Sequence, residues 1–200
     1  MTTIYKTNRL VLCMTDIRGH IDFINKSVLN GKLHKTMVVA TITNNYSTYK
    51  YLKNNYKIPT IYLKWDKSKF TREQYDLSLV KCINQFNPKI VFAMGWKHIF
   101  TTQFIQAFPN LINIHPALPN DLIGLHCIQK ALDKHKSGEI KHTGVMIHKI
   151  IEDLDRGEVL AQIDIPIYDT DDLISLTRRF RHYEETPLLK VLQDFENKLK

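Results

Sequence analysis

The chain has only three cysteines in 200 residues, Cys13, Cys82 and Cys127. An odd number without paired spacing excludes a disulfide-stapled framework. All three sit in apolar periodic segments, which points to reduced, buried thiols in a cytosol-like compartment, so a cytoplasmic location is expected. No apolar run approaches the roughly 18–20 residues that span a bilayer, and the polar Met1–Asn8 segment lacks the hydrophobic core of a signal peptide. Low-complexity blocks, internal repeats and linkers are also missing. The length suffices to bury a large core without disulfides or metals, so one domain spanning 1–200 is expected. The net charge of +8 admits nucleic acid, but it suits a small anionic substrate equally well. Basic residues are spread along the chain, and the densest cluster, Arg178–His182, reads as a solvated helix face. No motif interleaves aromatic and basic residues, so neither nucleic acid nor a membrane is an expected partner.

What is present is an alternation of hydrophobic periods. Strands are expected at Arg9–Met14, Thr36–Ile42, Thr60–Leu63, Lys89–Ala93, Leu111–His115, His142–Ile150 and Val159–Ile165. Helical spacing covers Gly19–Asn30, the stretch after Asn44, Thr71–Phe86 and Gly124–Lys136, and then Asp171–Lys200 with a kink at Pro187. Thr71–Phe86 is the clearest helix: Thr71 and Gln74 have capping-box spacing, and Tyr75, Leu79, Cys82, Ile83 and Phe86 form one stripe. Short buried strands alternating with helices predict an α/β fold with a doubly wound, mainly parallel sheet, its last strand antiparallel.

The most informative stretch is Asn113-Ile114-His115-Pro116. Pro116 cannot donate to a ladder and ends the strand. Alternation puts Asn113 and His115 on one face, roughly 6–7 Å apart, while Ile112 and Ile114 take the other. They stand at a strand's carboxyl end, where open α/β sheets bind ligands. Asparagine also ends strands commonly, and histidine is often a satisfied interior side chain. Asp155 lies in the charged turn Ile151–Gly157, between two apolar strands that can carry a carboxylate to the same edge; it also fits a simple turn-forming residue. A carboxylate beside an imidazole holds a proton ready for transfer. With no Ser or Cys nucleophile in the group, the attacking atom belongs to the substrate, as in acyl transfer to an amine through an oxyanion.

Asn113-Ile114-His115-Pro116-Ala117-Leu118-Pro119, Gly124-Leu125-His126 with Ala131-Leu132, Thr143–His148 and Leu154-Asp155-Arg156-Gly157 occur in an order and spacing that resembles the glycinamide ribonucleotide formyltransferase family. The match runs from about Lys89 to Pro187. The resemblance implies a Rossmann-like formyltransferase fold and transfer of a formyl group from 10-formyltetrahydrofolate to a primary amine, without a metal. It implies that Asn113 and His115 stabilise the oxyanion and that Asp155 pairs with His115 to relay the amine's proton. Gly95, Trp96, Lys97, His98, Ile99 and Phe100 would shape the folate pocket, together with Leu111, Ile150, Ile151 and Glu152. Pro116 would touch the acceptor, and His126 and His148 would stand just behind the reacting groups. His34, His135 and His142 read as ordinary core or surface histidines, as His20 does on its own. The implied partners are folate and a small anionic substrate, with the protein a monomer or homodimer.

The chain departs from the family after its first strand. A glycine-rich turn that cradles phosphate on backbone N–H groups is replaced by Thr15-Asp16-Ile17-Arg18-Gly19-His20-Ile21. Either Arg18, Gly19 and His20 supply the acceptor contacts instead, with side-chain charge in place of the cradle, or the amine is a different one, such as a nucleotide-linked amino sugar. A third alternative is a folate-binding module that has lost catalysis.

Overall fold

A computed structural model describes residues 8–16 and 19–198. Seven strands, β1 (Asn8–Met14), β2 (Thr36–Thr43), β3 (Thr60–Tyr62), β4 (Ile90–Met94), β5 (Leu111–His115), β6 (His142–Lys149) and β7 (Val159–Pro166), form one sheet. Its order is β3-β2-β1-β4-β5-β6-β7. The helices are α1 (His20–Leu29), α2 (Tyr46–Asn55), α3 (Arg72–Asn84), α4 (Thr102–Ala107), α5 (Cys127–Lys136), α6 (Leu173–Tyr183) and α7 (Glu185–Lys198).

The pairs from β3 to β5 are parallel, while β5–β6 and β6–β7 are antiparallel. The expected antiparallel character thus extends over two ladders, because β6 is the reversed strand. The chain winds outward from β1 to β3 and returns at β4, so the sheet's switch point lies between the carboxyl ends of β1 and β4.

Strand alternation sorts the core into two layers. Leu10, Leu12, Ile90, Phe92, Ile112 and Ile114 pack with α1, α5, α6 and α7, whereas Val11, Cys13, Val91, Ala93 and Leu111 pack with α3 and α4. The Thr71–Gln74 capping box forms as expected, and Tyr75, Leu79 and Ile83 of its stripe are buried. Cys82 stays partly exposed, so one of the three free thiols is not in the interior.

Three expectations need correction, and one helix was not foreseen. Helix α5 starts at Cys127 rather than Gly124, because His126 adopts φ 62° at its N-cap. The break near the carboxyl end falls at Glu184, and Pro187 lies inside the first turn of α7, where its missing N–H costs nothing. Helix α4 was not anticipated, since six residues carry too little periodicity to read. Within Arg178–His182, Arg179 turns inward and pairs both its terminal nitrogens with Asp171. That pairing holds the Asp171 carboxyl well below the usual carboxylate range. Among the described residues, no helix is long and apolar enough to cross a membrane.

Glu196 ties the last helix to the sheet. Its buried carboxylate accepts the backbone N–H groups of His34, Lys35 and Thr36 and the Thr36 hydroxyl, at 2.7–3.0 Å. We expect Glu196→Ala to leave three N–H donors unpaired and cost roughly 2–5 kcal/mol, read as a lowered urea midpoint. An unchanged midpoint would mean that water replaces the carboxylate at no loss.

Candidate active site

The carboxyl ends of β4, β5 and β6, with the segments that follow, surround a cavity of about 650 Å³. The ladder between β5 and β6 builds its floor. Register pairs Asn113 with His148 and His115 with Met146, so the expected Asn113–His115 face meets an imidazole from the neighbouring strand. Pro116 borders the same cavity, directly after the strand it ends.

The hydrogen bonds fix which nitrogen of each ring donates to the backbone. His148 Nδ1 lies 2.9 Å from the Lys149 carbonyl, so it carries the proton and donates. Burial pushes the His148 imidazole below its ordinary range, so Nε2 is a lone pair. It accepts from Asn113 Nδ2 at 3.3 Å, which orients that amide and leaves its second N–H free for the cavity. His115 Nε2 is 2.7 Å from the Leu122 carbonyl and donates to it. The chemistry of His115 is therefore left to Nδ1, which faces Asp155 Oδ2 at 3.5 Å.

Asp155 stands between the two rings, with Oδ1 3.7 Å from His148 Nε2. It sits in the β6–β7 turn at φ 56°, a left-handed conformation that aspartate tolerates better than most residues. The Gly124 N–H donates to Oδ2 at 2.9 Å, and the carboxylate side chain is only 7% exposed. Gly157 allows this turn to close, because a Cβ there would fall 1.8 Å from the Lys149 carbonyl oxygen.

One wall is apolar and aromatic. Gly95, Trp96, Lys97, His98, Ile99 and Phe100 all border the cavity, as do Ile150, Ile151, Glu152 and Leu154. Trp96 stacks on Phe100, with ring centroids 5.9 Å apart, and Phe100 stacks on Phe104 at 4.1 Å. Burial, followed by the charges of Arg72 and Lys67, pushes the His98 imidazole down. Lys97 pairs with Asp16 at 2.7 Å, joining this wall to the segment after β1.

Most expected site residues therefore come together, and two described ones, Leu111 and Gly19, do not. Leu111 shares a face with Asn113 and His115 but lies two residues deeper, packed with α3 and α4 in the core. Strand alternation sets the face and says nothing about depth. Gly19 caps α1 and does not border the cavity, and Arg18 lies outside the described residues. His126 and His148 were expected behind the reacting groups, yet both form part of the cavity wall. His20 borders it as well, while His34 and His142 are exposed and His135 pairs with Asp169.

Several participants escaped the sequence reading. The Leu122 carbonyl and the Gly124 N–H are backbone groups with no side-chain signature. Cys127 Sγ lies 3.6 Å from His115 Nε2, and burial pushes that thiol up, so it stays protonated. Glu184 and Thr177 enter the wall from the α6 side.

An open sheet carrying Asn, His and Asp at its carboxyl edge, with an aromatic wall beside them, defines a formyl transferase domain, and the "Formyl transferase" family model matches residues 15–192. A phosphoribosylglycinamide formyltransferase of Dictyostelium discoideum is 39% identical over 139 residues, 66% of this chain and 68% of that protein. The Schizosaccharomyces pombe enzyme of the same name is 29% identical over 188 residues, covering 89% and 90%. The crystal structure of the Bacillus halodurans phosphoribosylglycinamide formyltransferase superposes with a TM-score of 0.81 at 25% identity, over 96% of this chain and 97% of that one. This chain belongs to the phosphoribosylglycinamide formyltransferase family.

Two outcomes follow from the geometry. Gly157→Ala should displace the turn that carries Asp155, lowering the thermal midpoint by several degrees, a loss of about 1–3 kcal/mol; an unshifted midpoint would mean the turn has room to adjust. His148 should also make stability depend on pH. Its folded pKa is depressed, so the unfolded chain binds the extra proton, and stability is lost as pH falls below about 6.5. Urea midpoints at pH 7.5 and 5.5 should differ less in His148→Gln than in the wild type, and equal slopes would refute the assignment.

Proposed function

We propose that this chain transfers the formyl group of 10-formyltetrahydrofolate to the primary amine of phosphoribosylglycinamide, a step of purine biosynthesis. The observation that carries the mechanism is the Asn113–His115–Asp155 group at one end of the aromatic cavity, tied together by His148 and Gly124. Both substrates are small molecules. The cavity fits a folate: its aromatic and aliphatic wall suits a flat ring system, and the buried Trp96 Nε1–H has no acceptor of its own. Folate supplies an activated formyl carbon on N10.

In this reading the acceptor amine attacks that carbon beside Asn113. The free N–H of Asn113 and a protonated Nδ1 of His115 donate to the oxyanion that forms. The 3.5 Å gap between His115 Nδ1 and Asp155 exceeds a good hydrogen bond, so Nδ1 is not committed to the carboxylate and is open to the substrate, while Asp155 balances charge from there. Asp155, acting through water, takes the proton that the amine releases. That proton passes on to N10 as the carbon–nitrogen bond to folate breaks, so atoms and charge balance. The small-molecule substrates suit a cytoplasmic enzyme, acting as a monomer or a homodimer.

Replacing Asn113 or His115 by Ala should lower kcat by about 10²–10³ while a folate analogue still binds. Turnover within a few-fold of wild type would remove that residue from the mechanism. The acceptor is tested by comparing phosphoribosylglycinamide with nucleotide-linked amino sugars. Activity on a sugar alone would replace the proposed amine, and folate binding without any turnover would favour a non-catalytic module.

A further inference from the structure

The β3 edge of the sheet carries a charge pattern that the chemistry above does not use. Between Asp22 and Asp66 the chain holds seven lysines and no aspartate or glutamate. The whole chain has a net charge of +8, so this stretch, which runs from α1 through β2 and α2 to β3, supplies most of the excess. Elsewhere lysines meet carboxylates, as Lys97, Lys149 and Lys190 do. Lys50, Lys53 and Lys57 are exposed, and among the described residues none of them forms an ion pair.

Aromatic rings lie on the same face. Tyr46 and Tyr49 of α2 stack with ring centroids 6.0 Å apart, and Tyr62 of β3 closes against both, at 5.4 and 5.8 Å. Tyr46 is 55% exposed, so the group is a surface platform and not a buried cluster. Lys50 stands one turn after Tyr46 and Lys53 one turn after Tyr49, with their Nζ atoms 5.2 and 5.6 Å from those ring centres. None of the three tyrosines borders the active-site cavity. Exposed contacts of this kind add little to a helix, while grouping like charges without carboxylates works against the compact state. The surface suits a polyanion that also offers flat rings.

We propose that the Tyr46–Tyr49–Tyr62 platform, with the lysines beside it, binds single-stranded nucleic acid. Unpaired bases stack on the tyrosine rings, and Lys50 and Lys53 neutralise the phosphates that link them. A duplex keeps its bases stacked on one another and offers the rings nothing. A membrane is the poorer fit, because an interfacial helix needs apolar side chains to insert. Leu52, the only aliphatic residue of α2, is fully buried. Along the chain no stacking motif is visible, and the platform exists only once β3 brings Tyr62 against α2.

The test is fluorescence anisotropy with a labelled oligouridylate of about 12 nucleotides, titrated with the full chain at several salt concentrations. Three proteins are compared: wild type, Tyr46→Ala/Tyr49→Ala and Lys50→Gln/Lys53→Gln. All four positions lie outside the cavity, so the thermal midpoint and folate-analogue affinity report that each variant is folded. Removing the two rings should weaken binding about tenfold or more and leave its salt dependence in place. Removing the two lysines should weaken binding and flatten the slope of log K against log salt by about 1–1.5. A duplex of the same length should bind more weakly than the single strand. Absence of binding by the wild type at low salt would overturn the proposal. So would full affinity in the folded tyrosine variant, or competition by polyglutamate as effective as by unlabelled oligouridylate, since either marks attraction by charge alone. Binding to phosphatidylserine vesicles with none to the oligonucleotide would assign the face to a membrane instead.

Discussion

The cross-strand register between β5 and β6 is the constraint on which the site depends. Because β6 runs antiparallel to β5, Asn113 faces His148 directly and His115 faces Met146. A slip of one residue would turn Asn113 and His115 into the layer occupied by Ile112 and Ile114. Burial of those two isoleucines against α5, α6 and α7 therefore fixes the orientation of the polar pair on the opposite face. The energy that holds Asn113 and His115 in place comes from apolar residues on the other face of the strand.

On that scaffold, each polar group is assigned by the one behind it. The Lys149 carbonyl sets the tautomer of His148, His148 sets the amide of Asn113, and the Leu122 carbonyl sets the ring of His115. Two of the three constraints come from backbone oxygens, which cannot rotate away or change protonation. Such fixed dipoles need little reorganisation when charge develops nearby, which is the main economy of an enzyme site. Asp155 is the exception, a charged side chain on a left-handed turn, and it is anchored by the Gly124 N–H and by the close approach of Gly157 to Lys149.

Much of this was legible from residues alone, for identifiable reasons. The strand period put Asn113 and His115 on one face, Pro116 marked the strand's end, and the charged turn before Gly157 pointed to Asp155. Short buried strands between helical stretches announced the parallel sheet. Other features left no pattern to read. Backbone donors and acceptors have no residue type, six residues of α4 span fewer than two turns, and Leu111 carries the right face at the wrong depth. Pro187 misled because proline suits a helix's first turn as well as a kink. His20 and Glu184 are 164 positions apart, and only the fold brings them together.

The cavity's two ends are built by different means, which bears on how such a site can change. The aromatic wall comes from the segments after β4 and β6, where Trp96, Phe100 and Phe104 form a continuous stack that reaches into the core around α3 and α4. Altering it disturbs packing. The other end is formed by the first residue of α1 and the α6–α7 break, where side chains meet across helix termini instead of inside a ladder. Helix ends accept substitutions at a cost of about 1 kcal/mol, while core changes cost several times that. The aromatic end is therefore held by the stability of the fold itself, and the end built from helix termini is the freer one to change its side chains.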